Sequence, residues 1–189
     1  MTRVVVIDPQ PAVRAGLAMM LRTEPGLVPV GSAAGAAEGL KLVARQRPDV
    51  VVLDPAGDGL GTCRKLRALD DAPGVVLYSA SDDDSLPVTA RVAGADGLVD
   101  KSADAEELFE AIRLVARGES ALPPLDREQL DAAAHRVEPE DLALLAMLVD
   151  RTSTADVAAT LRMNPRKLAR RIERMLGTLR TRPPRSLPV

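Results

Sequence analysis

The sequence predicts an α/β fold, a five-stranded doubly wound parallel sheet, followed by a small all-α domain. Short apolar runs alternate with amphipathic segments through the first 117 residues, which is the pattern of successive βα units. Beyond residue 137 the apolar residues recur only at helical spacing. A chain of 189 residues, 46% of them hydrophobic, is long enough for one such domain and a smaller second one.

Five short runs predict the strands of the sheet. The first and third, RVVVI (3–7) and DVVVL (49–53), consist mainly of β-branched residues, which is typical of parallel strands buried on both faces. The other strands are predicted at LVPVG (27–31), GVVLYS (74–79) and DGLVD (96–100). Helices joining these strands would cover both faces of the sheet.

Helical spacing predicts one helix after each strand. In the last of them, residues 104–119, Leu108, Ile112 and Val115 lie on one face and acidic residues occupy the first turn. The four earlier helices are predicted at PAVRAGLAMMLRTEPG (11–26), AAEGLKLVARQR (36–47), GTCRKLRALD (61–70) and residues 85–93.

Cysteine and histidine usage excludes several classes of function. Cys63 is the single cysteine, so an internal disulfide and a zinc cluster are excluded, and we expect it to be a small buried residue. His135 is the single histidine, so no histidine-based nucleophile relay can be built, and we predict no enzymatic activity. Neither a membrane span nor a secretory signal is visible, so we expect a cytoplasmic protein without membrane contact.

Charge is distributed unevenly along the chain. Residues 1–120 carry 13 Lys/Arg against 18 Asp/Glu, whereas residues 121–189 carry 12 against 9. Within residues 162–185 there are nine basic residues and one acidic residue. Such asymmetry is expected when an acidic signalling domain is joined to a nucleic-acid-binding module, and a solvated basic tail is the alternative.

Four polar side chains coincide with predicted strand ends. Asp8 and Asp54 each follow an apolar strand and precede a proline, while Ser79 and Lys101 end the fourth and fifth strands. In doubly wound sheets, ligands bind beyond the carboxyl ends of the strands, where the strand order reverses. We therefore expect these four side chains to share one pocket.

Several stretches together resemble the receiver domain of bacterial response regulators. They are VVVIDPQPAVRAGL, RPDVVVLD, VVLYSAS and AGADGLVDKSADAEELFEAI, in the order and at the spacing of that family. The whole chain resembles the NarL/FixJ branch, in which a LuxR-type helix-turn-helix follows the receiver. The resemblance implies a flavodoxin-like receiver fold, a two-component system, and a sensor histidine kinase as a candidate partner.

The resemblance also implies roles for the strand-end residues. Asp54 matches the phosphoacceptor, Ser79 the hydroxyl and Lys101 the ammonium group of the family's pocket. Asp8 matches the first of two adjacent acidic residues that bind Mg²⁺ together with the phosphoacceptor, but the second falls on Pro9.

Three departures from the family pattern affect the predicted pocket, and the first two of them affect its metal site. Pro9 has no ligand atom in its side chain, the loop after Asp54 is shorter than in the family, and Leu98 replaces an aromatic residue that changes rotamer on activation. Two carboxylates and one lysine leave a pocket charge of about −1, so Lys101 can pair with Asp54 directly. We predict that Mg²⁺ binds to Asp8 and Asp54 weakly or not at all, and we predict no other cofactor.

Three further helices are predicted in the C-terminal segment. The first is EPEDLALLAMLVD (138–150), with inward-facing residues Leu142, Leu145, Leu148 and Val149. The second is TADVAATL (154–161), with Thr154 as a candidate N-cap. The third is NPRKLARRIERML (164–176), which begins with Asn164 as the N-cap and Pro165 as the first helical residue. Its predicted core residues are Leu168, Ile172, Met175 and Leu176, and its DNA-binding candidates are Arg166, Lys167, Arg170, Arg171 and Arg174.

Residues 137–180 resemble the LuxR-type helix-turn-helix without gaps. The resemblance implies that the third helix lies in the major groove of DNA, with Arg170 at a base-reading position. Arg151 and Arg162 stand at two positions where the family has glycine. We expect the family's fourth helix to be absent, because RTRPPRSLPV is too short and too proline-rich to form it. We therefore expect dimerisation through the first and last helices of the receiver.

These features predict a domain organisation and three candidate functions. The predicted ranges are a receiver domain over 1–118, a linker over 119–136, a DNA-binding domain over 137–182 and a tail over 183–189. We favour a transcription regulator that binds double-stranded DNA as a homodimer or as a heterodimer with a related regulator. Its atypical receiver would be controlled by dimerisation, a partner or a ligand more than by Mg-dependent phosphorylation. The alternatives are a conventional regulator phosphorylated on Asp54 by a sensor histidine kinase, and a protein-interaction module that pairs with a related regulator without binding DNA.

Overall fold

The computed structural model describes residues 1–180 and divides into two compact units. The first consists of Met1–Asp82 and Ala93–Pro124, and the second consists, among the described residues, of Asp83–Val92 and 125–180. Within the described residues, no helix is both long enough and apolar enough to cross a membrane.

A five-stranded parallel sheet forms the centre of the first unit, as predicted. Its strand order is β2-β1-β3-β4-β5, so the order reverses between β1 and β3. The strands are β1 (Thr2–Ile7), β2 (Leu27–Ala33), β3 (Val50–Leu53), β4 (Gly74–Ser79) and β5 (Gly97–Asp100). The valines of β1 and β3 are at most 1% exposed, which confirms that both faces of these strands are covered.

Helices follow the strands at the predicted places. Their bounds are α1 (Pro11–Thr23), α2 (Ala36–Gln46), α3 (Gly59–Arg67), α4 (Leu86–Ala93) and α5 (Ala105–Ala116). On one face of the sheet, Leu17 and Leu21 of α1 and Leu108 and Ile112 of α5 pack with the strand valines. Cys63 of α3 is fully buried, as predicted, and burial raises its pKa to about 12, so its thiol stays protonated.

The second unit contains most of α4 and all the C-terminal helices. The latter are α6 (Arg127–Ala134), α7 (Leu142–Val149), α8 (Thr154–Thr160) and α9 (Pro165–Arg180), with a 3₁₀ turn at Pro139–Asp141. Helix α6 lies inside the stretch predicted to be a linker. A capping box begins it, in which Asp126 accepts a hydrogen bond from the backbone of Gln129 and the Gln129 side chain accepts one from the backbone of Asp126.

Two predictions for the C-terminal helices were wrong in detail. Leu142, predicted to face inward, is 41% exposed, and Leu144 is buried instead. The buried face begins one residue earlier than expected, at Asp141, because this carboxylate pairs with an arginine of α9. The N-cap of α8 is Ser153 and not Thr154, since the Ser153 hydroxyl accepts a hydrogen bond from the backbone N–H of Asp156.

The longest helix, α9, agrees with the prediction and extends beyond it to Arg180. Asn164 caps it by accepting a hydrogen bond of 2.8 Å from the backbone of Arg166. The four predicted core residues are at most 5% exposed, and Leu179 joins them. The predicted tail and most of the segment RTRPPRSLPV lie outside the described residues.

Three arginines adopt the left-handed backbone conformation that favours glycine. They are Arg47 at φ 44°, Arg151 at φ 60° and Arg162 at φ 49°. Arg47 ends α2, and the other two follow α7 and α8 closely, so each reverses the chain where a helix stops. Arg151 and Arg162, where the family is expected to have glycine, therefore have a backbone conformation that glycine adopts without strain.

Candidate functional site

The strand order places two carboxylates next to each other at one end of the sheet. Asp8 follows β1 and Asp54 follows β3, and these neighbouring strands flank the point where the order reverses. The backbone N–H of Asp54 donates to Ile7 O at 2.9 Å, which continues the ladder to the pocket edge. In the same way, the N–H of Lys101 donates to Ser79 O at 2.7 Å. All four predicted residues thus end neighbouring strands.

Lys101 bridges the two carboxylates. Its Nζ lies 2.6 Å from Asp8 Oδ2 and also donates to Asp54 Oδ2. The side chains of Asp8, Asp54 and Lys101 are 2%, 9% and 11% exposed, so little water reaches the three charges. The predicted pair of Lys101 with Asp54 is confirmed, and the second contact, to Asp8, was not predicted.

The remaining oxygens of the two carboxylates accept backbone hydrogen bonds. Gln10 N donates to Asp8 Oδ1 at 2.7 Å, and Ala56 N donates to Asp54 Oδ1 at the same distance. Both aspartates therefore close the same Asx turn over the proline that follows them. At both Asp-Pro pairs the chain turns away from the sheet, and the backbone hydrogen bond of the turn orients the carboxylate.

Ser79 and Tyr78 complete the surroundings of the ion cluster. Ser79 is 4% exposed, and its Oγ accepts a hydrogen bond from Ser81 N at 3.0 Å. The ring of Tyr78 lies with its centroid 5.7 Å from Lys101 Nζ, which is within the range of a cation–π contact. Sequence reasoning did not assign Tyr78 to the site, although its position directly before Ser79 was a usable signal.

The charges around Lys101 set its protonation. Burial lowers the pKa of its ammonium group, but the hydrogen bonds and charges of Asp54 and Asp8 outweigh burial and raise the pKa above the ordinary lysine value. The cation is therefore retained throughout the physiological range of pH. The cluster contains two negative charges and one positive charge, with the positive charge between the other two.

The short connection after Asp54 brings α3 against the pocket. A Cβ atom at Gly59 would lie 2.1 Å from the carbonyl oxygen of Asp54, so only glycine fits there. Among residues 1–180, no group of three or more His, Cys, Asp or Glu side chains is arranged to bind a metal ion.

The exposed face of α9 is a second candidate site. Arg166, Lys167, Arg170 and Arg174 are exposed there. Arg171 differs from them because its side chain is only 14% exposed. Its Nε donates to Asp141 Oδ1 and its guanidinium also donates to Glu140 O. The role of Asp141 was not recognised from the sequence, since its partner lies 30 residues away in the chain.

Comparison with known proteins agrees with this geometry. Residues 4–113 match the family described as response regulator receiver domain. The chain is 31% identical over 193 aligned residues to the DNA-binding transcriptional activator DevR/DosR of Mycobacterium tuberculosis, with 95% of this chain and 88% of the relative covered. The chain belongs to the NarL/LuxR family of response regulators.

Two other similarities extend over less of this response regulator. It is 37% identical to the response regulator GacA of Pseudomonas viridiflava over 133 residues, which cover 69% of this chain and 62% of that relative. A crystal structure of a LuxR-family two-component response regulator from Aurantimonas is 31% identical, with a TM-score of 0.60, 73% of this chain covered and 99% of that chain. The predicted family and fold class are confirmed.

Replacing Lys101 with methionine should destabilise the receiver by about 3 kcal/mol, because two buried carboxylates would lose the cation between them. Urea denaturation at neutral pH measures this change. Because the pKa of Lys101 is raised on folding, its charge adds to the free energy of unfolding in full below the unfolded-state pKa of about 10.4. This contribution is lost as pH rises through the folded-state pKa. The difference between the two proteins should therefore shrink at strongly alkaline pH.

Lys65→Met is the matched control for this prediction. Lys65 pairs with Asp58 at 3.0 Å, but the two side chains are 52% and 64% exposed. An exposed pair of this kind contributes about 0–1 kcal/mol. Equal losses of stability in the two variants would contradict the assigned role of Lys101.

Proposed function

We propose that this response regulator is a transcription regulator that binds double-stranded DNA through α9. The observation that carries the proposal is the row of exposed basic side chains on α9, within a chain that is similar over nearly its whole length to a DNA-binding activator. Helix α9 follows α8 after a short turn, which is the arrangement that presents a recognition helix to the major groove.

Arg170 is the residue best placed to read a base. The core residues Leu168 and Ile172 flank it along the helix, so its Cα lies on the side opposite the buried face. The fork of donors on arginine pairs with the acceptors of guanine in the major groove. Arg166 and Arg174 lie one turn to either side and are positioned for phosphates. Arg171 is already engaged with Asp141, so we assign it to positioning the helix.

Replacing Arg170 with alanine should relax sequence preference by about 1–3 kcal/mol at one base pair, because one bidentate base contact is lost. Binding-site selection with the wild type and the variant at one salt concentration measures this change. Arg174→Ala is the control, since losing a phosphate contact should weaken all sequences alike.

The outcome of that selection also separates the candidate functions. Identical sequence preferences for wild type and Arg170→Ala would show that Arg170 does not read bases. A wild type that enriches no sequence, and that shows no salt-dependent binding to any duplex, would favour the interaction module that pairs with a related regulator.

We further propose that dimerisation, a partner protein or a ligand controls the receiver more than Mg-dependent phosphorylation does. Magnesium fits the pocket poorly, because Asp8 and Asp54 each give one oxygen to Lys101 and the other to a backbone N–H, and Pro9 adds no ligand. Mg²⁺ requires near-octahedral oxygen coordination, so it would have to displace these contacts. Control would then come from dimerisation, a partner protein or a ligand. Phosphorylation of Asp54 by a sensor histidine kinase is the competing mechanism.

Replacing Pro9 with aspartate should strengthen Mg²⁺ binding relative to the wild type, because a third carboxylate would bring the net charge of the pocket to about −2. Titration calorimetry with MgCl₂ measures it, and phosphodonor labelling of Asp54 should rise in parallel. Gln10→Asp adds the same charge one residue further along and should have no such effect. Tight Mg²⁺ binding and rapid labelling of Asp54 in the wild type would favour the conventional mechanism.

We place the dimer contact on the outer face of α1, together with α5. Ala12, Ala15, Gly16 and Met19 follow one another at helical spacing along the exposed side of α1, and Met19 is 69% exposed. Small side chains around one large apolar residue suit a close helix-to-helix approach. A regulator that reads two half-sites of DNA requires two copies, or one copy and a related partner.

Replacing Met19 with glutamate should convert a dimer to monomer, because a charge would be buried in the contact. Sedimentation of the full-length protein across the micromolar range measures the association. Leu69→Glu changes another exposed apolar residue, 38% exposed beyond the end of α3, and should leave association unchanged. A wild type that stays monomeric throughout would point to a heterodimer partner.

A further inference from the structure

Acidic side chains line a groove on one side of α9. The groove has a volume of about 490 Å³ and lies between α9 and the segment that leads into α7. Glu138 and Glu140 line one wall, while Lys167 and Arg174 line the other. All four side chains are exposed, so solvent and ligands reach both walls.

A buried ion pair fixes this acidic segment against α9. Asp141 and Arg171, whose side chains are 12% and 14% exposed, both line the groove and pair with each other. Arg171 also donates to Glu140 O. Its guanidinium therefore binds both the backbone of the 3₁₀ turn and the side chain of Asp141, the last residue of that turn. Because both contacts go to one arginine, the turn keeps Glu138 and Glu140 beside α9.

Helix geometry places the two exposed basic residues on this same side. Lys167, Arg171 and Arg174 are related by steps of four and three residues, so they form one stripe along α9. Since Arg171 points at the 3₁₀ turn, its neighbours in the stripe also lie on the side of the acidic wall. Arg170 and Arg166 belong to the adjacent, outward stripe.

We propose that Glu138 and Glu140 weaken the hold of this regulator on DNA, so that the outward stripe of α9 dominates recognition. The inference rests on the proposed binding of DNA by α9. A phosphate that approaches Lys167 or Arg174 also approaches two carboxylates, which repel it over distances within the Debye length of about 8 Å at 0.15 M salt. Phosphate contacts carry no sequence information, so this repulsion lowers affinity for every sequence alike.

The two stripes of α9 would therefore contribute differently to DNA binding. Basic residues beside the acidic wall contribute less than their number suggests, and base reading by the outward stripe becomes a larger share of the total binding energy. The acidic wall therefore limits the time that the protein spends on non-specific DNA.

The test compares full-length wild type with Glu138→Gln/Glu140→Gln. Fluorescence anisotropy with a labelled duplex of mixed sequence measures affinity as salt is raised. We expect the variant to bind about three- to tenfold tighter at low salt, with the gain shrinking as salt rises. Thermal unfolding should be unchanged, because the side chains replaced are exposed and the Arg171 contacts to Asp141 and to the Glu140 backbone remain.

Glu128→Gln/Asp131→Asn is the matched control. It removes two negative charges from the exposed surface of α6, outside the groove, and should change affinity by less than about twofold. Equal gains in both variants would attribute the effect to net charge and overturn the proposal, as would unchanged or weaker binding by the groove variant. If none of the three proteins binds DNA at low salt, the proposed function itself is wrong, whereas binding by wild type with no gain in the groove variant rejects only the acidic wall.

Discussion

Two carboxylates buried at the carboxyl end of a parallel sheet require a cation, and in this protein Lys101 supplies it. Asp8 and Asp54 lie on neighbouring strands because β1 and β3 pair directly, so their repulsion is built into the strand order. Lys101 follows β5, the edge strand two positions from β3, and places its ammonium group between the two carboxylates. The pocket, the turns that follow both aspartates and the retained charge of the lysine all depend on this arrangement.

A similar solution recurs in the C-terminal unit. There one buried carboxylate, Asp141, is matched by one arginine of a distant helix. Burying an unpaired charge would cost several kcal/mol, so the contact with Arg171 allows Asp141 to lie on the buried side where α7 begins. Leu144 lies on the same buried side, whereas Leu142 is exposed. Each unit thus contains a buried carboxylate that is paired with a basic side chain distant in the sequence.

The parts of the fold that sequence reasoning predicted well are those governed by local patterns. Valine runs identify β1 and β3, and the spacing of Leu168, Ile172 and Met175 identifies the buried face of α9. One error arose where a distant partner decides the outcome. Leu142 was assigned inward because the pairing of Asp141 with a residue 30 positions away is invisible in the local pattern. Helix α6 was missed even though Asp126 and Gln129 have the spacing of a capping box, which was a readable signal.

The site was predictable in its members and only partly in its contacts. Strand-end reasoning brought Asp8, Asp54, Ser79 and Lys101 together, because all parallel strands end at the same edge. It did not predict that Lys101 reaches both carboxylates, since that depends on side-chain reach across the sheet. It also left Tyr78 out of the pocket.

Tyr78 has an optical consequence. It is the only tyrosine of a chain without tryptophan. Absorbance near 280 nm, and the emission excited at that wavelength, therefore arise from one ring beside Lys101. Burial is the main reason that its pKa is raised, so the ring remains a neutral phenol at physiological pH. Its emission depends on the groups around it, including the ammonium 5.7 Å from its centroid. With excitation near 280 nm, Tyr78 is therefore the one emitting ring of this chain and lies beside the ionic pocket. Its emission can follow changes around Lys101 without an added label.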